Sequence, residues 1–279
     1  MVSYVKSERQ AEREKIRKSR TLRSASTATI STIIFLVLVV YVVTNAPGWQ
    51  RVEETFFSWE NFTKALPDVA EGFLINIKIF MIAEPLILIV GLLVALVRGL
   101  KSPVFFPLRA LAIAYTDLFR GVPTLLLVLL IGFGLPALNL QGAPNDPVTL
   151  GIIALTLSYG AYVAEVFRSG IESVHPSQVA AARSLGLPYG KTMRFVVLPQ
   201  AVRRVIPPLL NDFVALQKET SLVATIGVIE AVRQAQIHVA KTFNYTPYLV
   251  AALLFVLLTI PMARFTDYLA ARSQRRRGA

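Results

Sequence analysis

Residues 24–50 carry no charged side chain, and their centre, IIFLVLVVYVV, is an unbroken apolar run. A bilayer-spanning helix needs about 20 mostly apolar residues, so the pattern predicts a first span near 28–45. Five more apolar stretches follow, near 72–97, 107–135, 148–168, 204–231 and 246–268. The stretch at 204–231 is the least apolar, because it carries Asp212, Lys218 and Glu219. It reads as a helix buried within protein rather than one facing lipid. Segment 46–70 is polar and aromatic, with Trp49, Phe56, Phe57 and Trp59, rings that favour the membrane–water boundary. The first apolar run does not read as a cleavable signal: its basic lead-in is long and no A-x-A-like site follows it. The fold class expected is all-α, a polytopic membrane bundle of six spans.

Composition agrees. Of the 279 residues, 54% are hydrophobic and 16% charged, where a soluble domain carries roughly 25% charged residues. The formal charge of +12 raises nucleic acid as a partner, but the distribution of the cations argues otherwise. Of the 29 Lys and Arg, 22 fall in 1–26, 98–109, 168–204 and 264–279, whereas 4 fall in 45–71, 136–147 and 232–245. That asymmetry follows the positive-inside rule and places both termini and residues 168–204 in the cytoplasm. The basic tails then face anionic headgroups, and nucleic acid is not expected. There is no cysteine, and His175 and His238 lie far apart, which argues against disulfides and metal sites. No paired-Asp motif, H-E-x-x-H or Ser–His spacing suggests an intramembrane enzyme, so no catalytic residues are expected.

Segment 168–204 is the only long cytoplasmic loop. His175-Pro176-Ser177-Gln178 reads as a helix start, with proline in the first turn. VAAARSL is strongly helix-forming, and Gly186 supplies a left-handed stop. Pro188 opens a second short helix through YGKTMRFVV, which Pro199 is expected to end. The stretch GLPYGKT comes close to a phosphate-binding loop, which needs G-x-x-x-x-G-K-[ST] after a strand. Here only three residues separate Gly186 from Gly190, Pro188 removes a needed N–H, and a helix precedes. ATP is therefore expected on a partner chain, and this chain is expected to hold no cofactor.

Gly186, followed by Val196, Leu198 and Pro199, matches the loop pattern of ABC importer permeases: E-A-A, three residues, Gly, nine residues, I-x-L-P. Ala180, Ala181 and Ala182 take the first three places, so alanine replaces the acidic residue at 180. YTDLFRGVPTLLLVLL (115–130), AYVAEVFRSGIESVHPSQ (161–178), LPQAVRRVIPPLLN (198–211) and KETSL (218–222) resemble the polar amino-acid branch of that family, from about 72 to 268. The resemblance implies a type I transmembrane domain with a five-helix core, to which span 28–45 is an addition. The implied organisation is a basic tail (1–27), the extra helix (28–45), an extracytoplasmic linker (46–71), the transport domain (72–268, coupling loop 175–199) and a second basic tail (269–279). The function implied is that of a permease subunit of an ATP-driven amino-acid importer in a prokaryotic cell membrane. It would form half of a pore with a second permease, a copy or a homologue. ATPase subunits would dock inside and a solute-binding protein outside. The loop would meet the ATPase through Ala180, Ala181, Ala182, Arg183, Gly186, Lys191, Leu198 and Pro199.

Ionisable residues at membrane depth line cavities or pair with one another. Three stripes share helical spacing: Asp117, Arg120 and Thr124; Ser158, Tyr162, Glu165 and Ser169; and Asn211, Lys218 and Ser221, with Asp212 and Glu219 alongside. One reading is a substrate pathway comprising Arg120, Tyr162, Glu165, Asn211, Lys218, Glu219 and Ser221. A carboxylate would find Arg120 or Lys218, and an ammonium Glu165 or Glu219. The other reading is internal pairing, first of all Asp117 with Arg120. Glu84-Pro85 reads as a kink with a locally bonded carboxylate. Two rival functions are an importer of another small polar solute and an ion-coupled transporter using Glu165, Glu84 or Asp117.

Overall fold

The computed structural model describes residues 8–275 apart from Lys101, and every regular element among them is helical. The chain divides into an N-terminal unit that runs through Phe57 and a second unit that begins at Ser58.

In the first unit, α1 (Glu8–Thr44) runs unbroken from the basic tail into the apolar run, so the described tail and the first span are one helix. Thr29 and Thr32 return their hydroxyls to the carbonyls of Ala25 and Ala28 at 2.9 and 2.8 Å, satisfying those groups within the helix. A short helix, α2 (Trp49–Phe56), closes the unit.

The second unit opens with α3 (Trp59–Arg98), capped by Ser58, whose Oγ accepts from the Asn61 N–H. This helix starts well before the span expected near 72. Ala65, Val69, Gly72 and Asn76 are its buried residues there, at one-face spacing, while Lys64, Asp68 and Glu71 face outward. The helix therefore begins inside the stretch expected as linker. Next come α4 (Phe106–Gly121) and α5 (Thr124–Leu129). The single span expected over 107–135 is broken here, and its two arms meet at 106°. Proline disfavours helical backbone in the residue before it; Val122, ahead of Pro123, is extended at φ −96°, ψ 130°. The second arm continues through a π-helical turn (Leu130–Gly134) into α6 (Leu135–Ala137).

The remaining helices are α7 (Pro147–Glu172), α8 (Pro176–Ser184), α9 (Tyr189–Thr192), α10 (Leu198–Glu219), α11 (Ala231–Thr242) and α12 (Thr246–Arg275). Asp146 caps α7 by accepting from the Thr149 hydroxyl and N–H, and these bonds hold its carboxyl below the ordinary value. Among the described residues, four helical stretches are long and apolar enough to cross a membrane, five if the broken pair counts as one span. The expected span at 204–231 falls on α10 and a 3-10 stretch after it (Thr220–Ile226). Arg203, Arg204, Asp212, Lys218 and Glu219 keep α10 from being an apolar span.

α7 lies at the centre of the main core, where Leu150, Leu155, Tyr159 and Val163 pack with Ile79 and Ile87 of α3, Leu216 of α10 and Val223. A second core joins Ala65, Val69 and Phe73 of α3 to Ala231 and Ala235 of α11 and Val250 of α12. Between the two, Glu230 is fully buried. Its carboxylate accepts from Asn76 Nδ2 at 2.9 Å and the Arg233 N–H at 2.8 Å, and Asn76 Oδ1 accepts from the Ala231 N–H at 3.1 Å. Gly72 permits this junction: a Cβ there would lie 2.7 Å from the Glu230 carbonyl carbon. Gly72→Ala is expected to cost about 1–3 kcal/mol, the range for overpacking, read as a lowered unfolding midpoint in detergent. Gly134→Ala, where a Cβ meets nothing within 4 Å, should leave the midpoint unchanged.

Candidate functional site

The loop expected to face the cytoplasm begins where α7 ends. His175 Nδ1 caps α8, accepting from the Ser177 N–H at 3.2 Å and standing 2.7 Å from its hydroxyl. The helix stops at Gly186, whose φ of +81° is the left-handed conformation that glycine adopts without strain. There the Gly186 N–H bonds the Arg183 carbonyl at 2.9 Å and the Leu187 N–H the Ala182 carbonyl at 3.2 Å, occupying carbonyls the helix end leaves free. A Cβ on Gly186 would meet nothing within 4 Å, so only backbone strain opposes a side chain at this corner.

Pro199 does not end the second helix. From Tyr189 the chain passes through a π-helical turn (Met193–Val197) directly into α10. Proline clashes with the carbonyl four residues back and lacks an N–H. The widened turn, in which the Leu198 N–H reaches the Met193 carbonyl, accommodates both defects. The loop is tied down at two further points. Gln200 Nε2 donates to Gln178 Oε1 at 2.6 Å, and Arg204 donates to the Ser173 carbonyl. Of the residues expected to meet a partner, Ala180, Ala181, Arg183, Gly186, Lys191, Leu198 and Pro199 are exposed, whereas Ala182 is buried against the loop's own interior. The sequence reading missed Leu185 at the corner, 84% exposed, and Tyr189 beyond it. A large apolar side chain beside the left-handed glycine was the available signal.

Two of the three polar stripes meet. Thr124 Oγ1 lies 3.0 Å from Ser158 Oγ, Tyr162 Oη donates to the Arg120 carbonyl at 3.3 Å, and the Arg120 guanidinium lies 5.9 Å above the Tyr162 ring. Arg120 also approaches Glu165 at 3.9 Å. These contacts fall on both sides of the Gly121-Val122-Pro123 break. The expected pairing of Asp117 with Arg120 does not form: Asp117 is exposed, and Arg120 turns to α7.

Glu165 has two further cationic partners that the sequence reading did not name. Arg98, in the last turn of α3, donates to Glu165 Oε2 and to Thr116 Oγ1 of α4, each at 3.0 Å. Arg168 donates through Nε and Nη2 to both carboxylate oxygens and also pairs with Glu172. One carboxylate thus ties α3, α4 and α7 together. It is saturated by cations, which removes it as a partner for an incoming ammonium. Arg168 was discoverable at i+3, but Arg98 lies 67 residues away with no local signal.

The third stripe splits. Asn211 and Lys218 are exposed, and Ser221 returns its hydroxyl to the Lys218 carbonyl. Asp212 and Glu219 turn inward, where Glu219 and Asp212 flank Tyr159 of α7 and Asp212 faces Glu84 of α3. Glu84 thus lies within electrostatic reach of Asp212 on α10. Asp212 Oδ2 and Glu219 Oε2 are buried and have no hydrogen-bond partner among the described residues. Buried acceptors without donors are costly, so this cluster suits a cationic group. No grouping of three or more metal-ligating side chains able to hold a metal ion is found among the described residues.

Residues 87–275 match the family described as binding-protein-dependent transport system inner membrane component. The chain is 36% identical to the arginine transport system permease protein ArtQ of Bacillus subtilis over 197 residues, 70% of this chain and 87% of the relative. It is 35% identical to the probable glutamine ABC transporter permease protein GlnM of the same organism over 206 residues, 74% and 93% of the two chains. A crystal structure of an amino acid ABC transporter with histidines superposes with a TM-score of 0.70 at 32% identity, covering 77% of this chain and 98% of the other. An inward-facing methionine transporter, MetNI, shares the fold at a TM-score of 0.60 and 16% identity, over 74% and 96%.

The geometry ranks the arginines. Arg98→Ala strips Thr116 and Glu165 of a largely buried donor and is expected to cost about 1–3 kcal/mol. Arg120→Ala removes a long contact from a side chain 40% exposed and should cost under about 1 kcal/mol. Thermal unfolding of the two variants in one detergent gives the comparison.

Proposed function

The chain belongs to the family of binding-protein-dependent transport system inner membrane components, and from that footing we propose that it is the permease subunit of an ATP-driven amino-acid importer. As a transport subunit it is not itself an enzyme. The observation that carries the coupling role is the corner at Gly186: a short helix ended by a left-handed glycine and pinned by Gln178–Gln200 and Arg204–Ser173. An element held in this way transmits a displacement, whereas a mobile loop would absorb it. Exposed Leu185 and Tyr189 supply apolar anchors for a separate ATPase, and Arg183, Lys191 and Arg194 supply a basic rim. Alanine at 180 leaves that rim without the acidic group the family pattern carries.

Two such chains, or this chain and a homologue, form the pore, with a solute-binding protein delivering substrate from outside. The termini and the loop lie in the cytoplasm of a prokaryotic cell. Closure of ATP-bound motor subunits draws the two loops together and switches the pore from inward to outward access. Within the pathway, the Asp212–Glu219 cluster offers unpaired acceptors to a substrate ammonium, while Arg120 and Lys218 offer cations to a carboxylate.

Purified with its ATPase in liposomes, the protein should accumulate amino acid only when ATP is supplied. Uptake driven by an ion gradient without the ATPase would favour the ion-coupled alternative. Gly186→Val forces a β-branched side chain into left-handed backbone, a strain of about 1–2 kcal/mol. It should abolish uptake with membrane insertion unchanged; uptake at the parent rate would exclude the corner from coupling.

A further inference from the structure

Resting on the reading of an ATP-driven permease, we propose that Glu165 is a positioning residue that fastens the broken helix to α7, so that α4, α5 and α7 move as one body. The contacts form a continuous clasp across the 106° elbow. Before the break, Tyr115 Oη donates to the Leu157 carbonyl at 2.8 Å, and Arg98 bridges Thr116 to Glu165. At the break, Tyr162 holds the Arg120 carbonyl and Glu165 its guanidinium. After it, Thr124 meets Ser158. Every α7 member of this clasp lies on the helix whose C-terminus leads into the cytoplasmic loop, and Arg204 of α10 grips that junction at Ser173.

The break itself has no internal bracing strong enough to carry a push. Val122 is extended and Pro123 cannot donate, so the helical hydrogen-bond ladder is interrupted between α4 and α5. Left alone, the elbow would let α4 swing when the loop is displaced, although α5 and the π-helical turn already pack on α7 through Val128, Leu129 and Ile131. The side-chain clasp replaces the missing ladder. Glu165 is its strongest member, because a single carboxylate accepts from arginines on α3 and α7 and draws in the guanidinium of α4. Its role is to fix the angle between the two arms. It does not contact substrate, since both oxygens are already occupied.

The chain contains no cysteine, so one disulfide can substitute for the clasp. The hydroxyls of Thr124 and Ser158 lie 3.0 Å apart, and cysteines at these positions are within reach of a bond. Three transporters, each assembled with its ATPase in liposomes, complete the test: Thr124→Cys/Ser158→Cys, Glu165→Gln, and the triple variant. Oxidised and reduced Thr124→Cys/Ser158→Cys should take up amino acid at rates within about twofold of each other, because the bonded parts do not separate during the cycle. Glu165→Gln should lose about tenfold in uptake per ATP hydrolysed while hydrolysis continues. Oxidation of the triple variant should restore most of that loss, and reduction should reverse the rescue. Oxidation that stops uptake in the double variant would show that the elbow parts from α7, overturning the proposal. Failure of the disulfide to rescue Glu165→Gln would overturn it equally, pointing to Glu165 as a substrate contact. If Glu165→Gln does not assemble, the double variant alone decides between one body and two. Absence of ATP-driven uptake by the parent protein would instead count against the transport reading itself.

Discussion

Helices in lipid gain little from the hydrophobic effect when they associate, so close packing and side-chain hydrogen bonds must hold them. The whole second unit depends on how α7 meets that constraint. Its small residues allow intimate approach: a Cβ at Gly160 would lie 2.9 Å from Tyr115 Oη, and one at Gly170 would lie 2.1 Å from a Val205 methyl. Its polar residues then supply the bonds, from Ser158 through Tyr162 and Glu165 to Arg168. The helix is at once the centre of the core, the anchor of the broken helix and the lead into the loop that begins at Ser173. The loop is thus continuous with two core helices, α7 before it and α10 after it.

Ionic groups are divided between two jobs. Glu165 is paid for by arginines and serves architecture, whereas Asp212 and Glu219 keep buried oxygens unpaired beside Tyr159 and Glu84. Buried charge is costly unless it is paired, and of these groups Glu165 alone is ion-paired. Glu230 is a third case: fully buried, it is balanced by amide donors from Asn76 and its own helix start.

Much of this was legible in the sequence, for definite reasons. Apolar length gave four long helices and the stretch that proves to be broken, though not a sixth apolar span, and the Pro188–Gly186 punctuation gave the corner, because each is a local property of the sequence. The elbow was equally local, since Gly121-Val122-Pro123 is a break signal, but the hydropathy on either side masks it. The start of α3 at Trp59 was hidden by its polar outer face, although Ala65, Val69, Gly72 and Asn76 carry helical spacing. Passage of the chain through Pro199 was not legible, because it depends on one widened turn. The partners of Glu165 were only half visible. Arg168 is a neighbour on the same helix, while Arg98 comes from the end of α3 by way of Thr116. Stripes of polar residues could be found by periodicity, but which stripe faces which required the fold.

The coupling role proposed for the corner at Gly186 requires that it touch the ATPase. With no native cysteine, a single Leu185→Cys, at the most exposed point of that corner, can carry a short photo-crosslinker in the assembled transporter. The account predicts one major adduct, with the ATPase subunit, whose yield changes between nucleotide-free and ATP-bound states. Adducts only with another permease chain, or none in either state, would contradict it.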